Sequence, residues 1–219
     1  MTVRRHDIEI PRLAQNALAA WADIPAAVAS DAQNRGQAMA GAISPLAPGM
    51  RIVAQARTVH CMVGDNSALY AAIGVCQPSE VLVCNAEGFE DAAIFGGLMT
   101  RSALDQGVAG LVIDGAVRDS AEIVEAGFAT FARAVVPRGP HKGFGGTIDG
   151  VIACGGISVA PGDLIIGDAD GVTVVPITRI DAVLAGAQAI LAKEEKALAS
   201  VAEGGSLADI YGVPKIELI

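Results

Sequence analysis

The chain has 219 residues, 52% of them hydrophobic and 18% charged, with a formal net charge of -9. That length and apolar content suffice for one sizeable domain with a substantial core. The acidity, with no Lys/Arg run longer than Arg4-Arg5, leaves no basic stripe for a nucleic-acid groove and opposes adhesion to anionic membranes.

No apolar run reaches transmembrane length. The opening "MTVRRHDIEIPRLAQ" has charges but no following apolar region, so no signal peptide is expected. The four cysteines, Cys61, Cys76, Cys84 and Cys154, lack C-x-x-C spacing and sit among apolar neighbours. Buried free thiols and a cytoplasmic home are the expectation. With so little polar surface, some apolar surface is expected to be hidden between subunits.

Residues 9–42 carry apolar positions at helical spacing, with Pro25 as the start of a second helix after Trp21. A turn device then recurs. "APGMRIVAQA", "QPSEVLVCN" and "APGDLIIGDADG" each set a proline turn before a β-branched run. Strands are expected at Arg51–Met62, Val81–Asn85, Gly110–Asp114, Phe128–Ala134, Ile152–Val159, Leu164–Gly167 and Val172–Pro176. Helices are expected at Ser67–Gly74, Ala92–Gln106, Ser120–Ala126 and 178–203, and a loop over 137–150. The pattern is α/β in a single domain spanning 1–219.

Motifs for several chemistries are missing. The glycines of "GFGGTIDG" have the wrong spacing for a dinucleotide loop, and they follow a loop rather than a strand. There is no Walker A motif and no G-x-S-x-G, and His6, His60 and His141 have no motif partner.

Two places invite chemistry. Gly96-Gly97 precede a helix; backbone without Cβ and unpaired first-turn N–H groups can cradle a carboxylate or phosphate, or the pair is an ordinary helix-to-strand turn. Arg118-Asp119 lie just past a buried strand, where α/β proteins often place a site. Arg is a fork of donors for a carboxylate or enolate oxygen, and Asp offers hard oxygens to Mg²⁺ or Mn²⁺. Alternatively, Asp119 is the N-cap of the helix "SAEIVEAG".

The whole stretch "GGLMTRSALDQGVAGLVIDGAVRDSAEI" closely resembles the central signature of the RraA-like family. Gly64-Asp65-Asn66, "PRGP" at 137–140, "CGGISVAPGD" at 154–163 and "GDADGVTVVP" at 167–176 extend the likeness over roughly residues 28–200. The family includes class II pyruvate aldolases acting on 4-hydroxy-4-methyl-2-oxoglutarate and 4-carboxy-4-hydroxy-2-oxoadipate. The resemblance implies a swivelling β/β/α fold like that of phosphohistidine domains, a homotrimer or dimer of trimers, and a site between subunits. It implies a metal-dependent lyase that releases pyruvate from a 4-hydroxy-2-oxo acid and decarboxylates oxaloacetate through the same enolate.

Carried over position by position, Arg118 matches the substrate-binding and catalytic arginine, and Asp119 the ligand for Mg²⁺ or Mn²⁺. Gly96, Gly97, Leu98 and Met99 match the loop whose amides receive the substrate carboxylate. One position departs. The aldolases carry an aspartate twenty-one positions before the arginine, where this chain has Gly97. Asp31, Glu194 and Glu195 are then candidates for the missing acid, from this or a neighbouring subunit. The family also includes RraA itself, a protein-binding inhibitor of ribonuclease E, which is the alternative function.

Overall fold

The computed structural model describes residues 2–218. Its elements in chain order are β1 (Val3–Arg5), α1 (Gln15–Ala19), α2 (Ala26–Asp31), β2 (Ser44–Pro45), β3 (Ile52–Cys61), α3 (Ser67–Ile73) and β4 (Glu80–Asn85). There follow β5 (Ala93–Phe95), α4 (Gly97–Asp105), β6 (Gly110–Val117), α5 (Ser120–Glu125), β7 (Ala129–Val135) and β8 (Gly146–Ile148). The chain closes with β9 (Ile152–Cys154), β10 (Ile157–Val159), β11 (Leu164–Asp168), β12 (Gly171–Val175), α6 (Ile180–Ala202) and α7 (Leu207–Tyr211).

The centre is a parallel sheet in the order β3-β4-β6-β7, with β5 added beside the end of β6. The ten-residue β3 serves two further partners on its other side. It pairs antiparallel with β11 through Ile52–Gln55 and with β8 through Val59–Cys61. β12 extends β11, and β1 runs parallel along β8.

Strand alternation divides the core, because successive side chains point to opposite faces. Leu82, Cys84, Leu111 and Ile113 join α3, α4 and α5 in one cluster. Their neighbours Val81, Val83 and Val112 join Phe131, Ile165 and Val174 in a second cluster on the other face. The residues of β11 and β12 that point outward, Leu164, Ile166 and Val175, meet α2 and α6 in a third, which holds Trp21. Central strands buried on both faces read as unbroken apolar runs, which is why β4 and β6 were legible.

Four stretches differ from the sequence reading, one of them the expected strand Ile152–Val159, which is a hairpin of β9 and β10 turning at Gly155-Gly156. In 9–42 only α1 and α2 are helical; beyond Asp31 the chain turns, with Asn34, Arg35 and Gln37 in the left-handed region. The expected helix at 92–106 begins only at Gly97, because Ala93–Phe95 is captured as a strand by the end of β6. A short apolar run is ambiguous by periodicity alone, and tertiary pairing decides it. The loop at 137–150 contains β8, whose partners β1 and β3 are distant in sequence.

All four cysteines are free and buried. Burial pushes the Cys76 thiol up to about 12 and raises Cys84 and Cys154 as well. Among the described residues no helix is long and apolar enough to cross a membrane.

Candidate active site

β5 and β6 finish together. Phe95 lies opposite Val117, and the Arg118 N–H donates to the Phe95 carbonyl at 3.0 Å. Both strands leave the sheet at its C-terminal end, where open α/β sheets gather their sites. β5 passes through Gly96 into α4, and β6 passes through Arg118 and Asp119 into α5. Two helix starts thereby stand side by side.

Asp119 precedes α5, but its side chain does not cap it. Its backbone is left-handed, at φ 57° and ψ 37°, a conformation that costs a non-glycine residue about 1 kcal/mol or more. The turn sends its carboxylate across to the neighbouring helix. Oδ2 accepts the Gly97 N–H at 3.0 Å and lies 3.5 Å from Nε of Arg118. Asp119 holds the N-cap position of α5, its carbonyl accepting the Ile123 N–H, but its side chain makes no capping bond there and accepts the first amide of α4 instead. The amides of Leu98 and Met99 find no partner among the described residues.

Both glycines lie close to neighbouring side chains. A Cβ on Gly96 would lie 2.6 Å from Asp119 Oδ2 and 3.0 Å from Arg118 Cγ. A Cβ on Gly97 would overlap Oε2 of Glu122. Glu122 stands one helical turn after Asp119, on the same face of α5. Its carboxylate thus occupies the place where a side chain on residue 97 would begin.

A narrow cleft of about 30 Å³ opens in front of this junction. Phe95, Gly96, Leu98, Met99, Arg118 and Asp119 line it from the two strand ends. Asn66 and Tyr70 of the α3 region, with Pro140 and Lys142 of the loop after β7, complete it. That loop is pinned to the start of α3. His141 N–H donates to the Gly64 carbonyl, Gly143 N–H to Ser67 Oγ, and Phe144 N–H to Asp65 Oδ2. Asp65 is fully buried. Burial opposes its charge, but the donors from Ser67, Phe144 and Gly143 outweigh that, and its carboxyl is held below the usual range. Asn66 is 3% exposed; among the described residues its Oδ1 has no partner and its Nδ2 meets only the weak acceptor Sδ of Met99 at 3.5 Å.

The family model described as Aldolase/RraA, for RraA-like proteins, matches residues 26–174. The chain belongs to the RraA-like family. A Halalkalibacterium halodurans protein named "Putative 4-hydroxy-4-methyl-2-oxoglutarate aldolase" is 38% identical to this RraA-like chain over 172 residues, 78% of this chain and 82% of that one. An uncharacterized Pseudomonas syringae protein superposes with a TM-score of 0.79 at 26% identity, over 92% of this chain and 99% of its own. A Streptomyces coelicolor protein described as an unusual member of the RNase ES inhibitor RraA family gives 0.76 at 25% identity, over 84% and 97%.

Within one RraA-like chain, the structure brings Gly96, Gly97, Leu98, Met99, Arg118 and Asp119 to one place. It does not bring the other three candidates there. Asp31 ends α2 beside a separate depression with Thr173, and Glu194 and Glu195 are exposed on α6. The carboxylate that sequence reasoning missed is Glu122. The signal was available: Asp119 and Glu122 are three apart at a helix start, so they share a face. Asn66, Tyr70 and Lys142 were also missed as cleft residues, because only the fold joins the loop after β7 to α3.

Proposed function

We propose that this RraA-like chain is a divalent-metal-dependent lyase. It cleaves a 4-hydroxy-2-oxo acid to pyruvate and a second carbonyl compound, and decarboxylates oxaloacetate through the same enolate. The observation that carries the reading is the Glu122 carboxylate filling the side-chain volume that Gly97 leaves open, beside Asp119 and Arg118. The acid absent at position 97 is thereby supplied from α5.

The donor set fits Mg²⁺ or Mn²⁺. Among the described residues no cluster of three or more His, Cys, Asp or Glu could hold a metal. Two carboxylates with water for the remaining positions are what Mg²⁺ commonly takes. Asp119 and Glu122 would hold the ion, which supplies Lewis-acid polarisation of the keto oxygen. The chain's own groups do the rest. The free amides of Leu98 and Met99, at the start of α4, receive the substrate carboxylate, and the absence of side chains on Gly96 and Gly97 lets it approach, while the Gly97 N–H stays bonded to Asp119. Arg118 donates to the keto oxygen as it becomes an enolate oxygen. The C4 hydroxyl proton passes through a bound water to the Glu122 carboxylate as the C4 carbonyl forms and the C3–C4 bond breaks; the proton then returns to C3 of the enolate, which gives pyruvate.

The apolar surface beside the cleft supports a homotrimer or dimer of trimers with the site at a subunit boundary. Leu98 is 83% exposed there, and Tyr70, Val135 and Phe144 are also exposed. Four reduced, buried thiols suit the cytoplasm.

The test is pyruvate release from a panel of 4-hydroxy-2-oxo acids and oxaloacetate, with Mg²⁺, with Mn²⁺ and with chelator. Metal-dependent pyruvate from at least one substrate is expected. The likeness to the Streptomyces RNase ES inhibitor family favours a second reading, a non-catalytic regulator of ribonuclease E. Failure of all substrates with every metal, together with a measurable complex with a ribonuclease E, would establish that one instead.

A further inference from the structure

A second place in the molecule has the features of a binding site, at the other end of the parallel sheet. β4 and β6 run parallel, with Val81 opposite Gly110. Glu80 therefore marks the end where the strands start, while Arg118 and Asp119 follow the end where they finish. The eight residues of β6 separate the two ends by about 25 Å at the usual rise per strand residue.

At the strand-start end, Arg57 is buried between two buried acids. Its Nε and Nη2 donate to Glu80 at 2.9 Å each, and its Nη1 donates to Asp149 at 2.8 and 2.9 Å. The segment before α1 lies over this cluster. β1 contributes Arg5, whose Nε bonds Asp149 Oδ2 at 2.6 Å. Farther along, Arg12 places Nη2 2.6 Å from Glu80 Oε1. Gln55 fixes the same segment by accepting the Leu13 N–H and donating to the Pro11 carbonyl, both at 2.9 Å.

Three guanidinium groups thus share two carboxylates, leaving one positive charge in excess within a chain of net charge -9. The buried acids hold Arg5 and Arg12 in place but use only one nitrogen of each. Both terminal nitrogens of Arg5, and Nε and Nη1 of Arg12, have no partner among the described residues. These side chains line an open depression of about 480 Å³ with Arg57, Gln77, Ile8 and Ile10. Neither Asp nor Glu lines it. A guanidinium fork with two free nitrogens matches an oxyanion bidentately, and a fork already held in place loses little freedom on binding.

We propose that this depression binds a multivalent oxyanion, a phosphate monoester or a tricarboxylate, between the free nitrogens of Arg5 and Arg12. The ligand ties the segment before α1 to the body of the domain, and its site is distinct from the cleft at Arg118.

Calorimetric titration of the full chain with inorganic phosphate and with citrate, at ionic strength fixed by chloride, tests this. Saturable binding of at least one anion to the wild type is expected, and the tighter of the two identifies the ligand class. Arg118→Ala should bind it unchanged. The double variant Arg5→Gln/Arg12→Gln should bind at least about ten-fold more weakly, the loss expected when charge-assisted hydrogen bonds go. Gln77→Glu leaves every ion pair in place and adds a negative charge to the depression. It should weaken binding by a similar factor, so the test stands even if the double variant is poorly folded. No saturable binding of either anion would overturn the proposal. So would binding that Gln77→Glu leaves unchanged, or binding that Arg118→Ala abolishes.

Discussion

Replacing Glu122 with alanine probes the feature that distinguishes this site from one with an aspartate at position 97. Glu122 is exposed in the first turn of α5, where a carboxylate gains about 0.3–1 kcal/mol from the helix dipole. The variant should therefore fold, with little loss of stability. Its effect on metal should be larger. Losing a group that only supports a metal ligand typically costs about 10–100-fold in affinity, so losing one of two liganding carboxylates should cost at least that, about 1.4–2.7 kcal/mol or more. Mn²⁺ titration and coupled pyruvate release should both fall by that order in Glu122→Ala. The structure also specifies a rescue. A side chain on residue 97 would begin where Glu122 Oε2 now stands, so Gly97→Asp combined with Glu122→Ala should restore Mn²⁺ affinity to within about ten-fold of wild type. If Glu122→Ala keeps both affinity and turnover within about two-fold, a factor well below what a lost ligand costs, the assignment of Glu122 is refuted.

Arg118→Ala should lower kcat by about 10²–10³, the usual cost of removing one preorganised oxyanion donor, while Mn²⁺ binding changes little; steady-state kinetics with both substrates checks this. Asp65 is an acid held below its ordinary value in the fold, so its stabilising effect is present above that value, 3.8, and is lost as pH falls through the lower folded value. Asp65→Asn should cost about 1–3 kcal/mol at neutral pH by denaturant unfolding, and the gap to wild type should close in acid. The four buried thiols should resist a thiol reagent at pH 8 until denaturant is added, since burial raises Cys76, Cys84 and Cys154. Rapid labelling of more than one thiol in the native protein would contradict the packing around them.

Local signals made much of this fold legible. The runs at β4, β6 and β11 are apolar because both of their faces are covered, and β4 and β11 each follow a proline turn. β5 and β8 were not legible, since each is three residues long and exists only through pairing with strands distant in sequence. The site divides in the same way. Arg118, Asp119 and the glycines stand together in a specific motif. The left-handed turn at Asp119, which sends its carboxylate to the wrong helix for an N-cap, could not be read from residue types alone. Neither could the placing of Lys142 beside Asn66, which rests on Asp65 pinning the loop after β7. Asp31 looked available as a substitute acid in sequence, yet the fold puts it beside Thr173 on another face.

The central claim is that Asp119 holds a metal that makes pyruvate release possible. Its most direct test is the Mn²⁺ dependence of pyruvate release by the wild type and by Asp119→Asn, each with Mn²⁺ binding measured on the same preparation. The expected result is saturable Mn²⁺ binding and activation in the wild type, with both lost in the folded variant. Equal, metal-independent pyruvate release by the two proteins would contradict it.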